Sequence, residues 1–582
     1  MAWFLELLMG IPGRFVPFLS WIGDLRNKDT LRADILAGVT VALVLVPQSM
    51  AYAQLAGLPP YVGLYASFLP PIVAAIFGSS PQLATGPVAV VSLMTAAALE
   101  PLASSNPEGF MAYAMILAIM VGLFQMSLGL LRLGVVVDLL SHPVVVGFTN
   151  AGALIIATSQ LGKLFGVSVE KAEHHYETVY NTLLAAIDHT HAPTLAMGVM
   201  AIAIMVGLKR LFPAVPNVLA AVVITTLTSW LLNFEANGGS VVGIIPEGLP
   251  SLVFPEINIE VIAQLLTTAV VISLIGFMEA IAIAKAMAAQ TRQRLDTNQE
   301  LVGQGLSNIV SGAFAGYPVS GSFSRSAVNI NAGAKTGFSS VVTGLVVGVT
   351  LLFLTPLLYH LPTATLGAVI ILAVINLIKV APIIHAWKAQ PHDAIISIIT
   401  FGLTLYLAPH LEMGIVTGVI LSLVVFVIRS MRPRVAVLSR YKDGSMRDVA
   451  VHNLPTSENI SLVRFDGSLY FANAGYFENK ILEEVASKPD LKYIVINASG
   501  INQLDATGEE VLHHLAERLS SNGIQMVFAG MKRQFMNVIR RTGLVSYMKE
   551  EHFVSGVEPA LAYVWEQLGD DYDTKKCPLR RQ

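Results

Sequence analysis

The sequence predicts an all-α polytopic membrane domain of two inverted seven-segment repeats, with 14 transmembrane elements, followed by a small soluble α/β domain. Three observations predict it. The 582 residues are 54% hydrophobic and 13% charged, and no Asp, Glu, Lys or Arg occurs from Ile35 to Leu99; soluble domains carry roughly 25% charged residues. Two of the apolar windows are too short to span, and they stand third and tenth in the series. After Arg434 the composition becomes that of an ordinary soluble protein.

Crossing ~30 Å of hydrocarbon takes about 20 apolar residues. Such windows fall near 34–54, 61–78, 85–100 (short), 110–131, 139–160, 192–208, 214–234, 261–285, 299–316, 322–334 (short), 337–358, 363–380, 392–408 and 412–430. Basic residues in the connections orient them. With the N-terminus inside, cytoplasmic segments hold Arg26, Lys28 and Arg32, then Lys209 and Arg210, then Arg429, Arg432 and Arg434. The external segments 55–60, 101–109, 235–260, 359–362 and 409–411 hold none; only Lys163 and Lys171, in segment 161–191, break the rule. Both termini are therefore expected inside. The two short elements lie an odd number of segments apart, so the second half must be inverted relative to the first. Each follows a Pro-marked extended piece, SSPQLATGPVAVV and AGYPVSGSFSRSAV. Discontinuous helices in inverted repeats are where secondary transporters bind their substrate.

The stretch Gly316–Thr336, GYPVSGSFSRSAVNINAGAKT, carries this argument furthest. It lies between long apolar runs yet holds Ser320, Ser322, Ser324, Arg325 and Ser326. An arginine at membrane depth is costly unless it faces a cavity or a partner; the competing reading is a cytoplasmic loop with a solvated arginine. Pro318 and Gly321 interrupt regular structure, and a short polar helix is expected to start near Ser322. The free N–H groups at such a helix start form an anion seat. Glu279, in ISLIGFMEAIAIAKAM, is the other intramembrane charge, and Lys285, six residues on, lies largely off its face.

Other features are less specific. Trp3, Phe4, Phe15, Phe18 and Trp21 suit an interfacial helix, and the N-terminus lacks the basic leader of a cleaved signal. The single cysteine, Cys577, excludes internal disulfides and cysteine-based metal motifs. His174, His175, His189 and His191 leave a surface metal site open, against the simpler reading of a solvated loop. Beyond Arg434, strands are expected at Leu462–Asn473, Tyr493–Asn497 and Ile524–Phe528, with helices at Tyr476–Ser487, Glu509–Ser521 and Arg533–Thr542.

Several motifs resemble the sulfate permease family, whose animal relatives include prestin and pendrin. They are VPQSMAYAQLAGLPPYVGLYASFLPPIVAAIFGSS, ATGPVAVVSLM, NQELVGQGLSNIVSGAFAGYPVSGSFSRSAVN, LYFANAGYFENKI and INQLDATG. The resemblance implies core and gate subdomains, dimers and a C-terminal STAS domain. The divisions expected are 1–32 (N-terminal, interfacial or cytoplasmic), 33–431 (transport domain, repeats about 33–234 and 260–431), 436–567 (STAS) and 568–582 (a disordered tail). It also implies that Gln48 and Tyr52, four apart on one helix face, and the Ser324–Arg325 pair contact the anion. Glu279 falls where proton-coupled members carry their proton-binding carboxylate. Burial favours its neutral form and a nearby cation such as Arg325 its charged form; the alternative is a structural Glu–Arg pair. Sodium-coupled members have aspartate there with threonine one turn later, whereas Ile283 stands at that later place here. The segment Asp505-Ala506-Thr507-Gly508 resembles a phosphorylated loop, which makes Thr507 a possible regulatory position and a plain helix cap the alternative.

The function these readings imply is secondary active transport of a small inorganic oxyanion, foremost proton-coupled sulfate uptake by alternating access. Bicarbonate, a C4-dicarboxylate or anion exchange remain alternatives on the same scaffold. A scaffold serving STAS-mediated protein interaction is a different class, disfavoured by the intact site positions. No ATP-hydrolysing motif, cofactor or nucleic-acid partner is expected, and the protein is not read as an enzyme. A lipid bilayer, a second copy and a cytoplasmic STAS partner are the expected neighbours, in the setting of a bacterial inner membrane.

Overall fold

The computed structural model describes residues 16–103, 109–135, 141–170, 172–212, 215–246, 248–256, 258–569 and 572–581. Residues 1–15, including Trp3, Phe4 and Phe15, and Lys171 lie outside the described residues. The chain divides into two compact units at Ser422/Leu423.

The first unit is helical, and every expected apolar window is matched by a helix. In order these are α1 (Lys28–Leu55), α2 (Pro60–Phe77), α3 (Ala89–Ala103), α4 (Phe110–Leu130), and α5 (His142–Ser159, continued by Leu161–Phe165). An added helix, α6 (His175–His189), precedes α7 (Ala192–Leu211), α8 (Asn217–Leu231), α9 (Ile259–Thr291) and α10 (Thr297–Ala313). Then come α11 (Phe323–Asn331), α12 (Phe338–Val349, prolonged to Leu358 by a π turn and a 3-10 turn), α13 (Thr363–Ile375), a short α14 (Ala381–Ala389), α15 (Pro391–Leu407) and α16 (Leu411–Met431). Among the described residues eight helices are long and apolar enough to cross a membrane by themselves; α3, α8, α13 and α15 are shorter apolar helices. Phe353, Leu227, Ile420 and Phe426 stay exposed, as a lipid-facing surface requires.

Local chemistry starts and stops these helices. Asn27 caps α1 by accepting from the N–H of Asp29 at 2.9 Å, and Asp296 caps α10 through Asn298 and Gln299. Buried Asp34 of α1 accepts from the N–H groups of Lys335 and Thr336 at 2.7 and 3.1 Å, tying α1 to the start of α12. Pro47 cannot donate to the carbonyl of Leu43, which interrupts the hydrogen-bond ladder of α1 immediately before Gln48.

Packing follows the inverted pattern. The contact of α4 with α9 and α10 is mirrored by that of α12 with α1 and α2, and the pairing of α5 with α15 by that of α7 with α13. Where α4 meets α10 the backbones touch: a Cβ at Gly305 would lie 2.6 Å from the Met126 nitrogen, and one at Gly122 2.5 Å from the Gly305 carbonyl. Small residues allow this approach in the absence of a hydrophobic drive between helices.

The second unit is a six-stranded sheet flanked by helices. Its strands are β3 (Arg434–Arg440), β4 (Met446–Asp448), β5 (Ile460–Asp466), β6 (Tyr493–Asn497), β7 (Gln525–Ala529) and β8 (Phe553–Val554), in the order β4-β3-β5-β6-β7-β8. Strands β5 to β8 are parallel and β3 is antiparallel to both neighbours. Alternation along β6 sends Ile494 and Ile496 to a core with Phe465, Phe477 and Phe535, and Val495 to a second core with Leu561 and Val564. The helices are α17 (Ala474–Ser487), α18 (Ala506–Ser521), α19 (Arg533–Thr542) and α20 (Val557–Leu568).

Three expectations are corrected. The strand expected through Asn473 ends at Asp466, because the Asn473 carboxamide takes the Tyr470 N–H and folds the chain into a turn. The tail expected to be disordered from 568 is packed over residues 572–581: Cys577 and Leu579 are buried in the second core, and Arg440 donates to the Leu579 carbonyl at 2.8 Å. The external loop 161–191 holds α6 rather than being simply solvated, and its histidines have separate tasks. His174 caps α6, His175 bonds Thr158 and His191 bonds Thr194.

Because each unit has its own buried core, deleting residues 434–582 is expected to leave anion affinity in detergent within about threefold of the full chain while lowering uptake rate or dimer yield. Loss of all binding by the truncated protein shows the division to be wrong.

Candidate functional site

The two short helices meet through two-residue strands. Strand β1 (Thr85–Gly86) pairs antiparallel with β2 (Ser320–Gly321), Thr85 facing Gly321 and Gly86 facing Ser320. The Ser322 N–H donates to the Ala84 carbonyl and the Ser326 hydroxyl accepts from the Ala84 N–H, both at 2.9 Å. Asn329 donates to the Gln82 carbonyl at 3.1 Å. The polar residues of Gly316–Thr336 thus hold the opposing extended segment, so that α3 and α11 both start beside the strand pair.

Neighbouring helices fix β2 from behind. The carboxamide of Asn308 on α10 donates to the Val319 carbonyl at 3.0 Å and accepts its N–H at 2.7 Å. Ser311 donates to the Tyr317 carbonyl, and Ser320 to the Gly276 carbonyl of α9, each at 2.6 Å. On the β1 side, buried Glu300 accepts from the N–H groups of Ser79 and Ser80 at 2.8 and 2.9 Å, and from Gln304 at 3.1 Å. Gln304 also donates to the Thr85 hydroxyl at 2.8 Å. These bonds steady the chain ahead of β1, with no cation beside Glu300 among the described residues.

Arg325 is the centre of the arrangement. It is 0% exposed, and its Nε, Nη1 and Nη2 atoms have no hydrogen-bond partner among the described residues. Burying an unpaired charge costs several kcal/mol, so an acceptor close to this guanidinium would lower that cost. Gly86 leaves it room: a Cβ there would lie 3.4 Å from Nη2. The adjacent Ser324 and Phe323 are exposed, so the first turn of α11 opens onto free space. Ser322 caps the helix weakly, 3.5 Å from the Arg325 N–H, and helix geometry leaves the N–H groups of Phe323 and Ser324 without intrahelical acceptors.

Helix α1 packs against α11. Its Leu45 approaches the same Gly86 position, and Gln48 and Tyr52 continue that stripe at helical spacing. Both are buried, and the amide oxygen of Gln48 has no partner, so the amide is free to turn its N–H groups to a ligand. Tyr52 and Tyr317 lie within electrostatic range of the Arg325 guanidinium. The structure therefore gathers Gln48, Tyr52, Ser324 and Arg325 in one place.

Glu279 stands at the margin of this group. The next residue, Ala280, touches Gly321, since a Cβ at Gly321 would lie 3.1 Å from the Ala280 Cα. Glu279 is half-buried, and no ion pair joins it to Arg325 among the described residues, which corrects the expectation of a cation at its side. Ile283 packs with Leu83 and Ala284 in an apolar cluster, so no hydroxyl is offered one turn beyond Glu279. In the second unit Thr507 is exposed on the first turn of α18, and Asp505 spends its carboxylate on the N–H groups of Gly508 and Phe471.

Sequence reasoning missed Tyr317, whose hydroxyl meets that of Ser92 at 3.0 Å, and the α10 residues Glu300, Gln304 and Asn308. The α10 set had a readable signal, a polar stripe at intervals of four in an otherwise apolar window. Tyr317 had none, because an aromatic beside a proline is ordinary core.

Comparison with known proteins identifies the family and the fold. The sulfate permease family matches residues 31–400 and the STAS domain residues 452–560. The chain is 36% identical over 563 residues to sulfate transporter 4.1, chloroplastic, of Arabidopsis thaliana, covering 94% of this chain and 82% of that protein. It is 33% identical over 527 residues to the probable sulfate transporter MT1781 of Mycobacterium tuberculosis, covering 90% and 93% respectively. The murine Slc26a9 anion transporter in its inward-facing state superposes with a TM-score of 0.87 at 24% identity over 97% of this chain and 95% of that one. The transmembrane domain of the cyanobacterial bicarbonate transporter BicA superposes at 0.59 with 25% identity over 68% and 97%. With its family match, its paired half-helices and its C-terminal mixed sheet, this chain belongs to the sulfate permease family and carries a STAS domain.

Proposed function

We propose that this protein is a secondary active transporter that takes up sulfate together with protons, by alternating access of the site between α3 and α11. The observation that carries the reading is the buried guanidinium of Arg325, without a protein acceptor and set at an open helix start. A guanidinium keeps its charge and offers a planar fork of donors suited to an oxyanion. The N-terminal ends of α3 and α11 add positive potential from two sides, while Gln48, Tyr52 and Ser324 supply neutral hydrogen-bond donors. Such a set binds a divalent anion without a fixed salt bridge, so release remains possible.

Glu279 is the proposed proton carrier. Half-buried, unpaired and beside Gly321, it can neutralise part of the arriving negative charge when protonated. The Ile283 environment disfavours a sodium site of the aspartate–threonine kind. The protein is proposed to act as a homodimer in the cell membrane with both termini cytoplasmic, and the STAS domain to receive a cytoplasmic partner, with Thr507 open to modification. The likeness to BicA motivates bicarbonate as the second reading.

Uptake of labelled sulfate, bicarbonate and fumarate into proteoliposomes, under imposed proton or sodium gradients, separates these readings. Saturable sulfate uptake driven by an inward proton gradient is expected. Bicarbonate uptake that requires sodium, with no sulfate transport, overturns the proposal in favour of the second reading.

A further inference from the structure

A second polar cluster lies away from Arg325, at the opposite end of the pathway from the cytoplasmic loops. Lys163 sits on the short continuation of α5 and is half-buried. Its ammonium donates to the Gln54 side-chain oxygen at 3.3 Å, and no carboxylate pairs with it among the described residues. Gln54 stands on α1 two residues beyond Tyr52, about 3 Å farther along the helix axis. One turn before Lys163, Gln160 is 2% exposed; it donates to Ser159 at 2.8 Å while its amide oxygen has no partner. Across from both, Gly367 of α13 lets the helices close: a Cβ there would lie 3.5 Å from the Lys163 Cβ. The stem of Lys163 is thus covered by α13 and its charged head carried to the seam between α5 and α1.

A lysine head at such a seam with only a neutral amide for a partner is poorly compensated, since an amide oxygen offers less than a carboxylate to a partly desolvated ammonium. Its surroundings also make it the dominant positive charge there. The external segments are otherwise free of lysine and arginine apart from Lys171, which lies outside the described residues. Moreover, the Lys163–Gln54 bond links α5 to α1, so a movement that parts these helices breaks it and frees the ammonium together with the Gln54 side-chain oxygen.

The geometry points to an outer docking site for a small oxyanion, built by Lys163 with Gln54 and Gln160, which the anion occupies before it reaches Arg325. In the closed arrangement Gln54 holds the ammonium; in the open one the anion replaces it. The inference rests on the transport reading above and adds to it a residue that governs access from outside. A purely mechanical latch would also use this bond, but it would alter turnover in both directions and would be indifferent to which side the anion comes from.

The test uses the full chain in right-side-out and inside-out vesicles, with labelled sulfate as the probe and Lys163→Met and Lys163→Arg as variants. Lys163→Met is expected to raise KM for external sulfate about tenfold, to leave KM from the cytoplasmic side within about twofold, and to blunt the dependence of external KM on added salt. Lys163→Arg is expected to restore most of the external affinity. An external KM within about twofold of the parent, or equal shifts from both sides, overturns the outer site. Should Lys163→Met not reach the membrane folded, Lys163→Gln is read in the same two vesicle types and decides by the same comparison. A parent that takes up no sulfate overturns the transport reading first, and the outer site with it; a parent that transports while Lys163→Met behaves like it overturns only the outer site.

Discussion

Arg325→Met abolishes saturable sulfate binding and, at the same time, raises the thermal stability of the anion-free protein. The two effects have one cause. Three guanidinium nitrogens are buried with no acceptor among the described residues, so the empty site bears a desolvation cost that an apolar side chain of similar length removes. Bound sulfate compensates that cost in the parent. Removing one side of a buried, hydrogen-bonded charge pair costs about 3 kcal/mol or more, roughly a hundredfold or greater loss in affinity. Arg325→Lys keeps a charge but loses the fork, and falls between parent and Met. Ser324→Ala, which leaves the backbone N–H in place, costs about 1 kcal/mol, or roughly fivefold. The check is a thermal melt of each variant with and without sulfate, beside direct binding. In the parent the midpoint climbs with sulfate as mass action requires; in Arg325→Met it starts higher and stays flat. A variant that binds within about twofold of the parent removes Arg325 from the site.

Glu279→Gln separates exchange from accumulation. The amide imitates the protonated carboxyl: it keeps the shape and a hydrogen-bond donor but has no proton to lose. The variant is therefore expected to bind sulfate and to exchange labelled for unlabelled sulfate across the membrane. It should fail to concentrate sulfate under an inward proton gradient, because no proton is delivered to reset the empty carrier. A structural carboxylate predicts otherwise, with exchange and binding weakened together and residual uptake still responding to pH. The lack of an ion pair between Glu279 and Arg325 favours the first outcome, since the substitution breaks no salt bridge. Counterflow and proton-driven uptake in the same vesicles decide. If Glu279→Gln still accumulates sulfate with protons as the only driving ion, coupling lies elsewhere.

Much of the site was legible before the structure. Arg325 stood out because an arginine within apolar runs is expensive, and Gln48 and Tyr52 because family resemblance gave their four-residue spacing a meaning. Glu279 stood out for the same reason of cost, yet its relation to Arg325 was misjudged. Helical spacing says which residues share a face of α9, but not how near that face comes to a residue of another helix. The polar stripe Glu300, Gln304, Asn308 on α10 was visible as a pattern and mute as to purpose, because its partners are backbone groups of Ser79, Ser80 and Val319, far away in the chain.

By itself the sequence determined the helical membrane architecture, the inverted halves, the soluble C-terminal domain and the candidate residues for an anion seat. These follow from local quantities: the length of apolar runs, the side on which basic residues fall, the interruption of a helix by proline and glycine, and the cost of charge in hydrocarbon. Only the tertiary structure decided that the Arg325 guanidinium has no acceptor among the described residues, that Glu300 holds the chain ahead of β1, that Lys163 reaches Gln54 across the contact of α5 with α1, and that residues 572–581 pack against the STAS sheet rather than trailing free. Each of these depends on which backbone amides and side chains from distant segments arrive at one point. That is set by the close approach of helices at small residues and by the pairing of two two-residue strands 234 to 236 positions apart, and no periodicity within a single segment encodes it.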